Sequence, residues 1–146
     1  MIYRDLVKKA VYVAMDCHRW EMDKGGYPYI MHPMHLAEQM NDEDSTVVAL
    51  LHDVVEDSDT TFEDLVRYGF TETQIEAIRA LTHKEGQDYM DYIRQQVKPN
   101  PIAKKVKLAD LAHNLDYSRL GTLTDKDLKR MEKYKTAMKI LLDLEE

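Results

Sequence analysis

The sequence contains a single cysteine, Cys17, which excludes an intramolecular disulfide. It has no apolar run long enough for a signal peptide or a membrane span. Positive charge is also scarce: 20 lysines and arginines face 27 aspartates and glutamates, and the net charge is −7. This balance argues against general binding to nucleic acid or to a membrane. No repeat, low-complexity tract, P-loop or nucleophile elbow is present, and we expect a cytoplasmic protein.

The helical spacing of the apolar residues predicts an all-α fold. With 146 residues the chain has room for one compact core, so we predict a single domain over residues 1–146. Glycines and Pro28 predict a loop over residues 20–29, and two prolines predict a sharp break over residues 98–101. The predicted helices span residues 2–19, 32–41, 45–57, 61–68, 72–82, 87–97, 102–119 and 124–144.

A histidine and three carboxylates interrupt the apolar stretch over residues 46–57. Burying an unpaired carboxylate is costly, and a bound metal ion would remove that cost. Imidazole and carboxylate groups are suitable ligands for Mn, Fe, Zn or Mg. On a helix, Glu56 would share a face with His52 and Asp53. The alternative is a helix end whose carboxylates reach solvent, which suits Asp57 but not His52 or Asp53, since both have apolar neighbours.

Further metal ligands must come from other segments, because two ligands on one helix do not hold a catalytic metal. His32 precedes Pro33 at the start of a predicted helix, where a histidine is either a cap or a ligand. Asp110 lies between apolar residues of another predicted helix. Asp110 is either a ligand or the ion-pair partner of Lys107, three residues earlier.

Three motifs follow one another between residues 18 and 114. The first runs from His18-Arg19 through Lys24 and Pro28-Tyr29 to His32-Pro33. The second is Leu50-Leu51-His52-Asp53-Val54-Val55-Glu56-Asp57. The third is Lys107-Leu108-Ala109-Asp110, followed by Asn114. In this order they resemble the motifs of the HD-domain hydrolases of the RelA/SpoT-homologue family, in its small stand-alone form.

The resemblance implies an all-helical HD-domain bundle with a metal site in a central cleft. It implies a divalent ion, usually manganese in this family, held by His32, His52, Asp53 and Asp110. Glu56 and Asp57 would position or activate the attacking water. The implied reaction removes the 3′-pyrophosphate of the guanosine alarmones (p)ppGpp and leaves GDP or GTP.

Four residues are candidates for contacts with a nucleotide substrate. Arg19 and Lys24 carry charges suited to phosphate oxygens, although Lys24 would also suit a solvated loop. Tyr29 could stack on a base or ribose. Asn114 lies one helical turn after Asp110 and offers a donor and an acceptor to a base or ribose edge, unless it faces solvent.

Departures from the family pattern cluster where the nucleotide should bind. Trp20, Gly25 and Tyr27 replace a glycine, a serine and a glutamate, and Leu111 stands where the long members have arginine. The proposed metal residues all match. Two alternatives therefore stay open: a hydrolase acting on another nucleotide or a phosphorylated dinucleotide cofactor, and a non-catalytic module that senses a nucleotide.

Overall fold

The computed structural model describes residues 1–118 and 120–144. Within these residues the regular structure is helical, which confirms the all-α prediction. The helices are α1 Asp5–Cys17, α2 Met31–Glu38, α3 Glu43–Leu51, α4 Val54–Asp57, α5 Phe62–Arg67, α6 Glu72–Leu81, α7 Tyr89–Tyr92, α8 Pro101–Asn114 and α9 Asp125–Leu141. A π-helical turn, Ile93–Val97, continues α7. No helix in the described part of the chain is both long and apolar enough to cross a membrane.

Helix α3 is the centre of the bundle. It contacts α1, α2, α6 and α8, and every side chain from Val47 to Leu51 is fully buried. A helix that is apolar on all sides is stable only when other helices surround it. The apolar stretch recognised in the sequence therefore forms the core, and its C-terminal end lies deep in the molecule.

Side-chain caps set where several helices begin. Thr61 starts α5 and Thr71 starts α6, each through a capping box in which the threonine hydroxyl and the side chain three residues later satisfy each other's backbone N–H groups. Asn100 caps α8, with Pro101 at its first position. Each of these three helices begins within one residue of its predicted position.

The predicted helix ends were less accurate. Helix α8 ends at Asn114, and beyond this end the Asp116 carboxylate accepts a hydrogen bond from the Ser118 N–H in a turn. The predicted end at residue 119 lies outside the described residues. Helix α9 ends at Leu141, where Asp143 has a φ of 57° and the Leu144 N–H bonds back to a carbonyl of the last turn.

Candidate metal centre and active site

A break between α3 and α4 positions His52 and Asp53, so the single helix predicted over 45–57 is wrong. His52 caps the end of α3, and Asp53 has φ −106° and ψ −1°, outside the regular helical region. The His52 Nδ1–H donates to the Ala49 carbonyl over 2.7 Å. That carbonyl would accept the Asp53 N–H in a continuous helix. The His52 imidazole therefore competes with the Asp53 N–H for this carbonyl. As a result the side chains of His52 and Asp53 turn toward one region.

Four candidate ligands from three parts of the chain converge at this break. One nitrogen or oxygen from each of His32, His52 and Asp53 lies within 4.8 Å of the others. The Asp110 Oδ1 lies 2.8 Å from the His32 Nε2 and 3.7 Å from the His52 Nε2. Helix α2 supplies His32 and α8 supplies Asp110, and both side chains are buried. The structure thus brings together the whole set implied by the sequence motifs.

The arrangement of protons at His52 suits a cation ligand. Because its Nδ1 carries the proton given to Ala49, a neutral His52 presents the lone pair of its Nε2. This buried Nε2 has no hydrogen-bond partner among the described residues and faces the Asp53 Oδ2 at 3.1 Å. A lone pair facing carboxylate oxygens needs a positive charge between them, either a proton or a metal ion. Two imidazoles and two carboxylates form a donor set that fits a divalent transition metal.

Buried charges balance one another around Asp110. Its Oδ2 lies 3.0 Å from the Lys107 Nζ, while its Oδ1 faces the two histidines. Although burial alone would raise the pKa of Asp110, Lys107 and the histidines hold it well below its usual range. The ion pair with Lys107 and the role of a ligand, which the sequence presented as alternatives, are therefore compatible, since each uses a different oxygen.

Hydrogen bonds from outside the cluster orient its members. The Asn114 amide donates to the Asp110 Oδ1 over 3.0 Å, and the Tyr29 hydroxyl donates to the Asp53 Oδ2. The His32 Nδ1 lies 2.6 Å from the His113 Nδ1. If the His32 Nε2 offers its lone pair to a metal, its Nδ1–H donates to His113. No role was predicted for His113, because only the meeting of α2 with α8 reveals this contact.

The two predicted catalytic carboxylates lie on α4, beside the cluster and at the protein surface. The Glu56 Oε1 accepts a hydrogen bond from the His83 N–H. Partial burial raises the pKa of Glu56, although this hydrogen bond opposes the change. Partial burial, followed by the negative charges of Asp53 and Glu21, raises the pKa of Asp57 to about 7. Asp57 is therefore suited to exchanging a proton near neutral pH.

A cavity opens next to the cluster and contains three of the four predicted substrate residues. Lys24, Tyr29 and Asn114 line it, together with Arg130. Tyr29 and Asn114 also bond to cluster carboxylates, so they link the cavity to the candidate metal centre. The Lys24 Nζ lies 3.3 Å from an Asp127 oxygen, so this lysine is held by α9 and is not simply solvated.

Arg19 is not among the residues that line this cavity. Its side chain is 61% exposed and pairs with Asp16 over 2.8 Å, beside a different surface depression. In its place α9 contributes Arg130, together with the Tyr134 ring. Sequence reasoning missed Arg130 because an arginine on an amphipathic helix has no local feature that distinguishes it from a solvated one.

A helical bundle with a buried cluster of histidines and aspartates in its central cleft defines the class of HD-domain hydrolases. A solved structure of this fold, described as a metazoan orthologue of SpoT that hydrolyses ppGpp and plays a role in starvation responses, superposes with a TM-score of 0.78. The two chains are 26% identical, and the match covers 98% of this chain and 87% of the other.

Sequence comparison identifies the family within this class. The chain is 38% identical over 120 residues to the guanosine-3′,5′-bis(diphosphate) 3′-pyrophosphohydrolase MESH1 of Danio rerio, covering 73% of this chain and 66% of the relative. It is 35% identical over 122 residues to MESH1 of Mus musculus, covering 77% and 68%. No protein-family model matches the chain. The chain belongs to the MESH1 family of guanosine-3′,5′-bis(diphosphate) 3′-pyrophosphohydrolases.

The match to a longer bacterial relative is partial. The bifunctional (p)ppGpp synthase/hydrolase SpoT of Escherichia coli (strain K12) is 28% identical over 141 residues, which cover 86% of this chain but 19% of that protein. The chain therefore spans about two thirds of the Danio rerio relative and about a fifth of SpoT.

Proposed function

We propose that this protein hydrolyses the 3′-pyrophosphate of guanosine-3′,5′-bis(diphosphate), ppGpp, with the help of one manganese ion. The metal ligands would be His32, His52, Asp53 and Asp110. The observation that carries the proposal is the meeting of these four donors at one buried point, with Glu56 and Asp57 beside it. Two relatives in the same family, the MESH1 proteins of Danio rerio and Mus musculus, are named for this reaction.

The donor set supports a divalent transition metal, and manganese is the ion that the family resemblance implies. Two neutral imidazoles and two carboxylates suit a transition metal better than calcium or magnesium, which prefer oxygen ligands alone. When bound, such an ion supplies positive charge that offsets charge on a phosphoryl group and lowers the pKa of water. The ion pair with Lys107 uses the Asp110 Oδ2, so the Oδ1, which accepts one hydrogen bond from Asn114, keeps a second lone pair for that ion.

The residues of α4 would handle the proton in the hydrolysis. Glu56 or Asp57 orients a water molecule and takes its proton while the water oxygen bonds to phosphorus. The bond between that phosphorus and the 3′ oxygen breaks, and the 3′ oxygen gains a proton. The products are GDP and pyrophosphate. The pKa of Asp57, raised to about 7, suits this transfer near neutral pH, and burial shifts the pKa of Glu56 in the same direction.

The cavity beside the cluster supports a nucleotide carrying several phosphates. Lys24 and Arg130 place positive charges on its wall, where phosphate oxygens would bind. The rings of Tyr117 and Tyr134 also line it and offer flat surfaces for a base or ribose. We propose that the Tyr29 hydroxyl acts mainly on Asp53, while its ring forms part of the wall.

Product analysis tests the reaction directly. The metal-stripped protein is reloaded with Mn²⁺ and incubated with ppGpp, and the nucleotides are separated by ion-exchange chromatography. We expect GDP and an equal amount of pyrophosphate. A metal-loaded protein that leaves ppGpp intact but releases phosphate from another nucleotide or a phosphorylated dinucleotide cofactor would contradict the substrate. Binding of nucleotides with no turnover would instead indicate a sensor.

A single substitution tests the role of α4. Glu56→Gln keeps the size of the side chain and removes its capacity to take a proton. We expect turnover to fall by roughly 10²–10⁴-fold, the usual contribution of general acid–base catalysis, with Mn²⁺ binding retained. Glu132→Gln, an exposed change on α9, is the matched control and should have normal turnover. Near-normal turnover of Glu56→Gln would show that Glu56 does not activate the water.

A further inference from the structure

Helix α1 has one face that the rest of the bundle leaves exposed. Along this helix and the turn after it, exposed side chains recur every three or four residues: Asp5, Lys8, Tyr12, Met15 and Arg19. On a helix this spacing places side chains in one strip. From Asp5 to Arg19 the strip extends over about 21 Å, at 1.5 Å for each residue. We call it the α1 strip.

Large apolar side chains form the middle of the α1 strip. Tyr12 is 64% exposed and Met15 is 50% exposed. Both residues line two neighbouring surface depressions, one of which is also lined by Arg19 and Ile30 and the other by Met34. Exposed apolar side chains that adjoin one another in this way mark a surface for interaction with another molecule. Because projecting side chains and depressions alternate here, a surface of the same shape could pack against it.

The charges of the α1 strip and its flank are arranged about Tyr12 with opposite signs. Lys8 comes four residues before Tyr12 and Asp16 four residues after it. Asp5 comes seven residues before Tyr12 and Arg19 seven residues after it. In an antiparallel pair of chains with the two Tyr12 side chains at the centre, Lys8 would face Asp16 of the partner subunit, and Asp5 would face Arg19 of the partner subunit. A two-fold axis produces each of these contacts twice, so opposite charges meet at every one of these positions.

The same charges favour a second copy of the chain over other occupants. The whole chain has a net charge of −7, so two copies repel each other over most of their surfaces. On this face Lys8 and Arg19 balance Asp5 and Asp16, and an acidic or basic partner would find no excess of opposite charge. Among the described residues Lys8 and Asp5 form no ion pair, whereas Asp16 and Arg19 pair with each other over 2.8 Å. A second copy would supply both unpaired charges with partners.

We propose that the α1 strip joins two copies of this chain in an antiparallel dimer with two-fold symmetry, centred on Tyr12. The Tyr12 and Met15 side chains bury apolar surface at the centre, and the charge pairs on either side fix the direction and register. One helix of each chain provides less contact than the roughly 800 Å² per partner of a standard interface, so the dimer is weak and depends on concentration. This inference concerns assembly and holds whether or not the protein hydrolyses ppGpp.

Sedimentation velocity of the full chain at increasing concentration tests the dimer. Between about 5 and 500 µM, where a dimer with a micromolar dissociation constant forms, we expect the sedimentation coefficient to rise from that of a monomer to that of a dimer. Tyr12→Glu removes the central ring and places two negative charges together at the two-fold axis, so this variant should stay monomeric. Leu128→Glu is the matched control, because it adds the same charge at a 48% exposed position on α9. It should dimerise as the unchanged chain does.

Reversing charges tests the register. Lys8→Glu and Asp16→Lys each place like charges opposite one another, so each should weaken the dimer by roughly tenfold or more. The double variant restores opposite charges and should recover most of the lost affinity. Circular dichroism of each variant checks that the helices are intact.

Three results would overturn the proposal. One is a chain that stays monomeric over the whole range, which is the result expected if another molecule covers this face. Another is a dimer that persists in Tyr12→Glu. The third is a double variant that dimerises no better than the two single variants.

Discussion

Replacing Lys107 with methionine tests how the buried charges of the cluster are balanced. The Lys107 Nζ lies 3.0 Å from the Asp110 Oδ2, and the two side chains are only 14% and 8% exposed. Methionine keeps the apolar length of the side chain beside the rings of Tyr89 and Tyr92 but removes its charge. In the metal-free protein the substitution leaves a buried carboxylate without its ammonium partner.

Breaking a buried ion pair from one side costs about 3–5 kcal/mol. The lower end applies here, because Asn114 and His32 still bond to the other oxygen of Asp110. We therefore expect the free energy of unfolding to fall by about 3 kcal/mol. For a chain of this size that corresponds to a melting temperature lower by roughly 6–12 °C. Saturating Mn²⁺ should recover part of the loss, because it brings positive charge to the same carboxylate.

Urea unfolding of four chelator-treated proteins measures the effect: the unchanged chain, Lys107→Met, Asp110→Asn and the double variant. Since the two residues compensate each other, the double variant should be more stable than the sum of the single changes predicts, by about 0.5–3 kcal/mol. The reasoning is refuted if Lys107→Met unfolds within about 0.5 kcal/mol of the unchanged chain, the range typical of surface substitutions. Strict additivity of the two changes would refute it too.

Three further outcomes are expected. Mn²⁺ at about 100 times its dissociation constant should stabilise the folded chain by about 2.7 kcal/mol and raise the melting temperature by roughly 5–10 °C. A chelator should reverse this shift, and an unchanged melting temperature would contradict metal binding to the native state. Asn114→Leu should weaken Mn²⁺ binding by roughly tenfold, since Asp110 loses a donor that orients it, and unchanged affinity in a metal titration would exclude that role. Because the pKa of Asp57 is raised from 3.8 to about 7 in the metal-free fold, its stabilising contribution is complete below about pH 4 and is lost as the pH rises through 7. As the pH rises from 5 to 8, Asp57→Asn should therefore become more stable relative to the unchanged chain, by about 1 kcal/mol after solvent screening of this exposed group. If the difference in melting temperature between the two chains were the same at pH 5 and at pH 8, the expectation would be wrong.

Local features of the sequence were enough to predict the helical class and most helix beginnings. The apolar run indicated that α3 would be buried, and the two prolines of residues 98–101 placed the break before α8. The break after Leu51 was missed, because an uninterrupted apolar run favours a continuous helix. The His52 imidazole ends that helix by taking the Ala49 carbonyl, and no propensity scale includes this competition.

The sequence by itself determined which residues could act as metal ligands, because a histidine or a carboxylate inside an apolar segment must find a partner wherever the segment packs. Tertiary structure alone decided how those residues are held and what surrounds them. In the folded chain one Asp110 oxygen faces Lys107 and the other faces the two histidines. Arg130 lies at the cavity, whereas Arg19 pairs with Asp16 on a different surface. Periodicity defines the face on which a side chain lies, whereas the packing of distant helices determines what that face meets.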